Sequence, residues 1–253
     1  MRIQAIFEIV PGSRLCINYQ YFLTAMVYGL LSKSAPDFTK RLHDLGFWRH
    51  QEKPFKLFCF SPLRGGPGTT HVESGNLVFE ADRLSWEFDS PVPAVTTLMA
   101  ESLSSCSSLR VWQVELRVIQ VKSLPLPDFS GGRARFVCLS PLVASVYDPQ
   151  LRHRYLEPTE ERFWEVISEN LSRKWEAYHG TLPPSAIRLI PDRDYLAVKK
   201  TSKLISFRSD CVRGYLVPFA AEAHPDLLAF GHQCGFGSRN SQGFGMVRAV
   251  SER

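Results

Sequence analysis

A glycine-rich segment near the C-terminus could contact a ligand through its backbone. Residues 235–245 hold two Gly-x-Gly pairs, Gly235 with Gly237 and Gly243 with Gly245. No Gly-Lys-Ser/Thr follows, which excludes a phosphate loop, and an asparagine in place of the third glycine excludes a dinucleotide fingerprint. What remains is a concave backbone surface that a phosphodiester chain could approach closely. The alternative is a tight junction between a helix and a strand that binds nothing.

Basic side chains are concentrated in two stretches. The chain has 30 Lys and Arg against 25 Asp and Glu, a net charge of +5. Residues 33–64 contain seven basic and three acidic residues, and residues 195–221 contain five basic and one acidic. Each stretch therefore has a net charge of +4, and the rest of the chain has a net charge of 5 − 8 = −3. This segregation favours a polyanionic partner, and the alternative is an ordinary solvated face.

Composition and cysteine spacing exclude several classes of protein. With 44% hydrophobic residues over 253 positions, the chain can bury one large core or two small ones. The longest apolar run, residues 19–31, is too short to span a bilayer, and the N-terminus alternates like a strand rather than a secretory signal. The cysteines form no C-x-x-C pair, and no ligand spacing relates Cys211 and Cys234 to His224 and His232. We therefore expect reduced thiols, no metal, no cofactor and a cytoplasmic location.

The order of elements predicts the fold. The first half reads as strand 2–10, helices 18–31 and 36–46, strands 56–62 and 76–88, helix 91–105 and strand 109–121. The second half reads as strand 134–143, helix 158–178, strands 186–190 and 204–217, helix 220–230 and strand 243–250. Each half has the order β-α-β-β-α-β. The sequence thus predicts an α+β protein with tandem ferredoxin-like (RRM-like) domains, residues 1–124 and 133–253, joined by a linker at 125–132 and ending in the glycine-rich loop.

Several motifs in this order resemble one family. They are Asn18-Tyr19-Gln20-Tyr21-Phe22-Leu23, Val27-Tyr28, Leu42-His43-Asp44, Phe55-Lys56-Leu57-Phe58, Leu139-Ser140-Pro141 and Ser241-Gln242-Gly243-Phe244-Gly245-Met246-Val247. The chain resembles the CRISPR-associated endoribonucleases that process precursor CRISPR RNA, in the ferredoxin-fold superfamily with a C-terminal glycine-rich loop. The resemblance implies a prokaryotic enzyme that cleaves repeat RNA without metal. Attack by the 2′-hydroxyl would leave a 2′,3′-cyclic phosphate and a 5′-hydroxyl.

The resemblance also implies catalytic positions. His43, Tyr28 and Lys56 match them, and such a reaction needs a base, an acid and a cation for the phosphorane. Histidine suits proton transfer near neutral pH, tyrosine suits positioning or donation, and lysine balances negative charge. His50 is a second candidate for the proton-transfer group, and Lys53 competes with Lys56. Taken singly, each of these residues would also fit a structural or solvated role.

We expect Lys199, Lys200 and Lys203 at the turn of a hairpin in the second half. The resemblance assigns RNA binding to this hairpin and to the glycine-rich loop. The residues are Lys199, Lys200, Lys203, Arg208, Gly235, Gly237, Ser238, Arg239, Asn240, Ser241 and Gly243. The resemblance implies that repeat RNA is the partner. A multisubunit CRISPR effector complex and a second copy of the chain are further candidate partners. Two alternatives stay open: a non-catalytic relative that binds repeat RNA, and a small-molecule or effector-binding ferredoxin-like protein.

Overall fold

Each half of the chain is organised by an antiparallel sheet, in a computed structural model of the protein. The structure describes residues 1–37, 39–40, 46–47, 54–150, 152–207 and 210–250. Its helices with defined bounds are α1 (Gln20–Ser34), α2 (Pro93–Ser104), α3 (Glu161–His179), α4 (Arg193–Val198), α5 (Pro225–Cys234) and a 3-10 turn (Asn240–Gln242). Within those described ranges, no helix combines the length and apolar character needed to cross a membrane.

The first half forms a five-stranded sheet. The strands of this half are β1 (Arg2–Glu8), β2 (Ser13–Cys16), β3 (Cys59–Phe60), β4 (Thr70–Glu73), β5 (Asn76–Phe79), β6 (Arg83–Asp89), β7 (Ser108–Val111) and β8 (Val114–Leu124). The sheet order is β3-β6-β1-β8-β7, while β2, β5 and β4 form a smaller sheet. Alternate residues of β1, namely Ile3, Ala5 and Phe7, are fully buried. Helix α1 packs Leu23, Val27 and Leu30 into the same core.

The second half repeats this arrangement. Its strands are β9 (Arg133–Cys138), β10 (Ser145–Asp148), β11 (Arg152–Tyr155), β12 (Arg188–Pro191), β13 (Ser202–Phe207), β14 (Asp210–Tyr215), β15 (Phe219–Glu222) and β16 (Val247–Val250). The sheet order is β12-β15-β9-β16. Helix α3 buries Phe163, Ile167 and Leu171 at helical spacing and ends at Gly180 in the left-handed conformation. Both halves have the β-α-β-β-α-β order with the first strand in the sheet interior, which confirms the predicted tandem ferredoxin-like fold.

The prediction for residues 204–230 is wrong in detail. The single strand expected at 204–217 is the separate hairpin β13–β14, and the strand that joins the sheet is β15, where the sequence predicted the start of a helix. Helix α5 begins only at Pro225, and the His224 side chain accepts a hydrogen bond from the backbone N–H of Asp226. Proline is favoured in the first helical turn because its missing N–H is not needed there. The continuous apolar alternation concealed this boundary.

Lys199 and Lys200 were expected at the turn of this hairpin, and the structure places them elsewhere. Both follow the short helix α4, which Asp192 caps by accepting a hydrogen bond from Tyr195 N–H. That helix occupies residues 193–198, and β13 starts at Ser202, which pairs with Tyr215 at the end of β14. The two lysines therefore lie at the open end of the hairpin, and Lys203 lies within β13.

A buried ion network joins the two halves. Arg2, only 4% exposed, donates from Nε to Asp89 Oδ2 (3.0 Å) and from Nη1 to Glu87 Oε2 (3.3 Å) on the adjacent strand β6. The same guanidinium donates to the carbonyl oxygens of Val247 (2.8 Å) and His232 (3.0 Å) in the second half. One arginine therefore satisfies acceptors on both sides of the interface, which fixes the two sheets relative to each other.

Replacing Arg2 with methionine should strongly destabilise the protein. The change leaves the Glu87 and Asp89 carboxylates buried without this cation, which typically costs about 3–5 kcal/mol. Urea unfolding monitored by tryptophan fluorescence would measure the loss. The matched control is Arg14→Met, since the Arg14–Glu73 pair is about half exposed and such pairs contribute about 1 kcal/mol or less. Equal losses in the two variants would contradict the assigned role of Arg2.

Stability should also fall as the solution becomes mildly acidic. Burial and the neighbouring Arg2 cation hold the pKa of His232 well below its usual range, so the folded protein keeps this ring neutral. An unfolded histidine binds a proton below a pKa of about 6.5, so unfolding takes up a proton and is favoured as pH falls. For one such group the loss between about pH 7.5 and 6 is about 0.8 kcal/mol. Burial raises the pKa of Asp89 to about 6, so proton uptake by this carboxyl in the folded protein opposes the loss from about pH 7 downwards.

The His232→Gln variant should therefore show a shallower dependence of unfolding free energy on pH above about pH 6. The slope should shrink rather than vanish, because burial also lowers the pKa of His179. Urea titrations at a series of pH values would measure both slopes. Identical slopes would mean that His232 titrates alike in the folded and unfolded chains.

Candidate functional site

The glycines of the C-terminal loop are used for close packing inside the protein. Gly237 and Gly245 both have a φ of +72°, and a Cβ on them would lie 2.5 Å from Val143 O and 2.0 Å from Phe236 O. Gly245 N–H donates to Pro141 O at 2.8 Å, and this hydrogen bond attaches the loop to the segment after β9. The predicted RNA-binding glycines Gly235, Gly237 and Gly243 are likewise buried. Their contribution is the shape of the loop rather than an exposed backbone surface.

A buried lysine holds this loop from beneath. Lys174 on α3 is 3% exposed, and its Nζ donates to Gly235 O (2.8 Å), Gly237 O (2.8 Å) and Asn240 Oδ1 (2.6 Å). Asn240, also buried, donates in turn from Nδ2 to the carbonyl oxygens of Phe236 and Phe244. Burial lowers the pKa of Lys174, and the three acceptors compensate its lost hydration. Asn240, predicted to bind RNA, is thus an internal brace of the loop.

Lys174 was missed by sequence reasoning, although the sequence contains its signal. It continues the buried stripe of α3 three residues after Leu171, where an apolar residue is expected. A lysine at such a position is almost never fully buried unless its charge is paired or hydrogen-bonded.

The polar residues of the loop face the space between the two halves. Ser238, Arg239, Ser241 and Gln242 are all partly exposed. Arg239 adopts a φ of +62° and donates from Nη1 to Gln242 Oε1 at 3.2 Å. The glycines and Asn240 therefore bury the backbone while these four side chains remain available to a ligand.

Two predicted catalytic residues meet the loop in one cleft of about 610 Å³. Tyr28 from α1, Lys56 from the segment before β3, and Ser241 from the loop all line it. Tyr28 is hydrogen-bonded to Ser241, and burial raises the pKa of its hydroxyl to about 12. Its ring packs edge-on against Phe58 at 5.8 Å. The structure thus brings Tyr28 and Lys56 together, whereas His43, His50 and Lys53 lie outside the described residues.

The hairpin β13–β14 forms one wall of this cleft. Phe207 of β13 lines the cleft and meets the ring of Tyr21 on α1 edge-on at 5.7 Å. Ser206 N–H donates to Asn18 Oδ1 at 3.1 Å, which ties the hairpin to the first half. Lys203 is exposed on this hairpin, as are Lys199 and Lys200 before it. None of these three lysines lines the cleft, which the hairpin reaches through Phe207 at the other end of β13, and Arg208 lies outside the described residues.

The folded chain gathers no cluster typical of a metal site in the part that the structure describes, where no three His, Cys, Asp or Glu side chains lie close enough to share an ion. His232 instead contacts Arg2 and Asp89, and Cys234 lies in the core of the second half.

Substituting Gly245 with alanine should disrupt the loop far more than its backbone conformation alone explains. Gly12 and Gly245 both have a positive φ, but a Cβ on Gly12 would meet nothing within 4 Å. Gly12→Ala should therefore cost only the left-handed conformation, about 1–2 kcal/mol. Gly245→Ala adds a clash with Phe236 O and should lose more stability than this control. Thermal unfolding of both variants measures the difference, and equal losses would contradict the close packing.

Comparisons with known proteins agree with this geometry. The model described as "CRISPR-associated protein Cas6, N-terminal" matches residues 14–122, and "CRISPR associated protein Cas6, C-terminal" matches residues 124–249. A relative from Pyrococcus furiosus, "CRISPR-associated endoribonuclease Cas6", is 27% identical over 236 residues, covering 93% of this chain and 84% of that protein. "CRISPR-associated endoribonuclease Cas6 1" of Methanocaldococcus jannaschii is 27% identical over 254 residues, covering 98% and 90%.

A solved structure described as "CRISPR associated protein Cas6" has the same fold over the whole chain. It has a TM-score of 0.79 and 26% identity, and the match covers 99% of both chains. The family predicted from the sequence motifs is thereby confirmed. Matched from residue 14 to residue 249 by the two family models, the chain belongs to the Cas6 family of CRISPR-associated proteins.

Proposed function

We propose that the protein is a metal-independent endoribonuclease that cuts CRISPR repeat RNA and releases guide RNAs from their precursor. The observation that carries the proposal is the meeting of Tyr28, Lys56 and Ser241 in one cleft between the two halves. Membership of the Cas6 family supports the same conclusion, since the relatives from P. furiosus and M. jannaschii are named endoribonucleases.

The chemistry is attack by a 2′-hydroxyl on the adjacent phosphate, which gives a 2′,3′-cyclic phosphate and a 5′-hydroxyl. This reaction needs groups that move protons and a cation that stabilises the phosphorane. Lys56 supplies the cation at the cleft wall. Tyrosine is protonated at neutral pH because its ordinary pKa is about 10, and burial raises the pKa of Tyr28 further, to about 12. Tyr28 therefore donates a hydrogen bond or a proton rather than acting as a base.

His43 is the proposed proton-transfer group, with His50 as the second candidate. The assignment rests on the sequence motif Leu42-His43-Asp44, because both histidines lie outside the described residues. Three residues shortly before this motif line the same cleft as Tyr28, namely Pro36, Thr39 and Lys40. This placement of the adjoining residues supports a catalytic group at position 43.

RNA binding is assigned to polar side chains of the loop at the cleft and to cations on and before the hairpin. Arg239 and Ser241 are partly exposed on the loop, and Lys199, Lys200 and Lys203 are exposed beside the hairpin. Lysine and arginine contacts to phosphates set affinity and its dependence on salt more than they set sequence preference. Arg208 and Ser238 complete this proposed surface, for which Gly235, Gly237, Gly243 and Asn240 provide the fixed loop.

The proposed division of labour follows the two halves. Residues 1–124 carry the catalytic side chains, residues 125–132 link the halves, and residues 133–253 carry the hairpin and the loop. A homodimer, a multisubunit CRISPR effector complex and a cytoplasmic location remain predictions for this chain.

Cleavage of repeat RNA in EDTA is the direct test. A labelled CRISPR repeat RNA should be cut by the wild-type protein, and a 2′-deoxy substitution at the mapped cut should abolish cleavage because it removes the nucleophile. His43→Ala should lower the cleavage rate by about 100-fold or more. The matched control is His71→Ala, an exposed histidine on β4, which should cleave like wild type.

Affinity measured in parallel separates catalysis from binding. Tyr28→Phe keeps the ring that packs on Phe58 and removes only the hydroxyl, so it should slow cleavage more than it weakens binding. If the wild-type protein binds the RNA but leaves it intact, the enzyme proposal fails, and the protein is a non-catalytic subunit that binds repeat RNA. Absence of both binding and cleavage would favour a small-molecule or effector-binding role.

A further inference from the structure

A second recess adjoins the cleft of Tyr28 and is bordered by the hairpin β10–β11. Its volume is about 440 Å³, and Lys56 and Ser241 line both the recess and the cleft. The hairpin contributes Ser145 from β10 and His153 from β11 to the wall of the recess. An RNA strand that passes Lys56 on its way out of the cleft therefore reaches this hairpin.

The inner end of the hairpin is fixed to the rest of the protein. Leu156, directly after β11, donates from its backbone N–H to Ala144 O at 3.0 Å, and both residues are buried in the second core. Val146 packs against the same core, and Tyr155 packs against the small cluster that contains Phe207. An isolated two-stranded hairpin is at best marginally stable in water. This packing therefore holds β10–β11 in one position.

An exposed tyrosine lies at the outer end of the hairpin, on the face that borders the recess. Tyr147 pairs directly with His153, and residues paired in this way lie on the same face with their Cβ atoms about 4.5–5.5 Å apart. Tyr147 is 78% exposed, whereas every other Phe, Tyr and Trp among the described residues is buried or half-buried. The hairpin thus presents one aromatic ring to solvent, beside a residue of the recess wall.

The chemistry of this surface indicates which ligand it fits. Lys56 and Arg239 provide cationic side chains to the recess, His153 provides a ring N–H donor, and the described residues that line it include no Asp or Glu. Such a wall favours a phosphate group. The ring of Tyr147 offers a flat surface on which any base can stack, because every base has a π-face. Single-stranded RNA combines phosphates with unpaired bases and fits both features.

We propose that the hairpin β10–β11 binds the RNA strand beside the scissile phosphate, with a phosphate in the recess and a base stacked on Tyr147. The inference rests on the proposed endoribonuclease function, because it takes the ligand to be the RNA of the adjoining cleft. Tyr147 lies two residues beyond Ser145 on β10, about 7 Å further along the strand, so the stacked base belongs to a nucleotide close to the cut. Tyr147 positions the substrate, whereas Tyr28 and Lys56 serve the reaction.

The experiment uses the full-length protein and a repeat RNA made uncleavable by a 2′-deoxy substitution at the mapped cut. Each nucleotide flanking the cut is made abasic in turn, and fluorescence anisotropy in EDTA gives the dissociation constants. For wild type we expect one flanking position at which removal of the base weakens binding about tenfold. Tyr147→Ala should bind the intact RNA about tenfold more weakly and should show no further loss at that position. This failure of additivity identifies the ring and the base as partners.

Two further variants separate loss of the ring from a disturbance of the hairpin. Tyr147→Thr removes the ring but introduces a residue that favours strands, so it should bind like Tyr147→Ala. Tyr147→Phe keeps the ring and should bind like wild type, with the same response to the abasic position. The matched control is Val72→Ala, because Val72 is 59% exposed on the hairpin β4–β5 and lines neither the cleft nor the recess. This control should also bind like wild type.

The outcomes separate this inference from the proposed function. If wild type cuts the unmodified repeat while Tyr147→Ala and Tyr147→Thr keep wild-type affinity, the inference is overturned and the enzyme is left intact. The same holds if the abasic loss persists in both variants or if Tyr147→Phe binds as weakly as they do, since neither result fits a stacked ring. If wild type does not cut the repeat, no scissile phosphate exists for the hairpin to flank, and the proposed function and this inference fail together.

Discussion

The ammonium group of Lys174 is the contact on which the site depends. It fills the space beneath the loop and gives three inward-facing acceptors a common donor. An uncharged side chain of similar size would leave those acceptors buried and unpaired, which folded proteins avoid. Lys174 belongs to the long helix α3, which packs in the hydrophobic core of the second half. Its hydrogen bonds therefore hold the loop in a fixed position relative to that core.

The interface network performs the corresponding task between the halves. Tyr28 and Lys56 come from the first half and Ser241 from the second, so the cleft exists only if the halves keep one orientation. Arg2 fixes that orientation through Glu87 and Asp89 on one side and backbone carbonyls on the other. Glu87 also contacts Arg64 and Arg248, which adds a cation from each half. A buried ionic network is directional, unlike an apolar interface, and therefore suits the fixing of an orientation.

The sequence predicted the tandem fold because strand alternation and helical spacing are local properties. It predicted the meeting of Tyr28 with the loop only through the family motifs, since no local pattern relates residues 213 positions apart. It missed the break between β14 and β15, where apolar alternation continues across a change of sheet. The buried roles of Lys174 and Asn240 were also missed, because a buried charge is recognised from its acceptors, and these come from other elements.

The glycine-rich loop shows a use of glycine that the sequence motif alone did not predict. A dense run of glycines suggested backbone exposed to a phosphodiester chain, since glycine permits close approach. The close approach occurs, but it is to Val143 and Phe236 of the protein itself. Packing the loop this tightly removes its conformational freedom and leaves only the intervening polar side chains facing the cleft. The entropy of ordering the loop is then lost during folding rather than during RNA binding, so the arrangement is preorganised for its ligand.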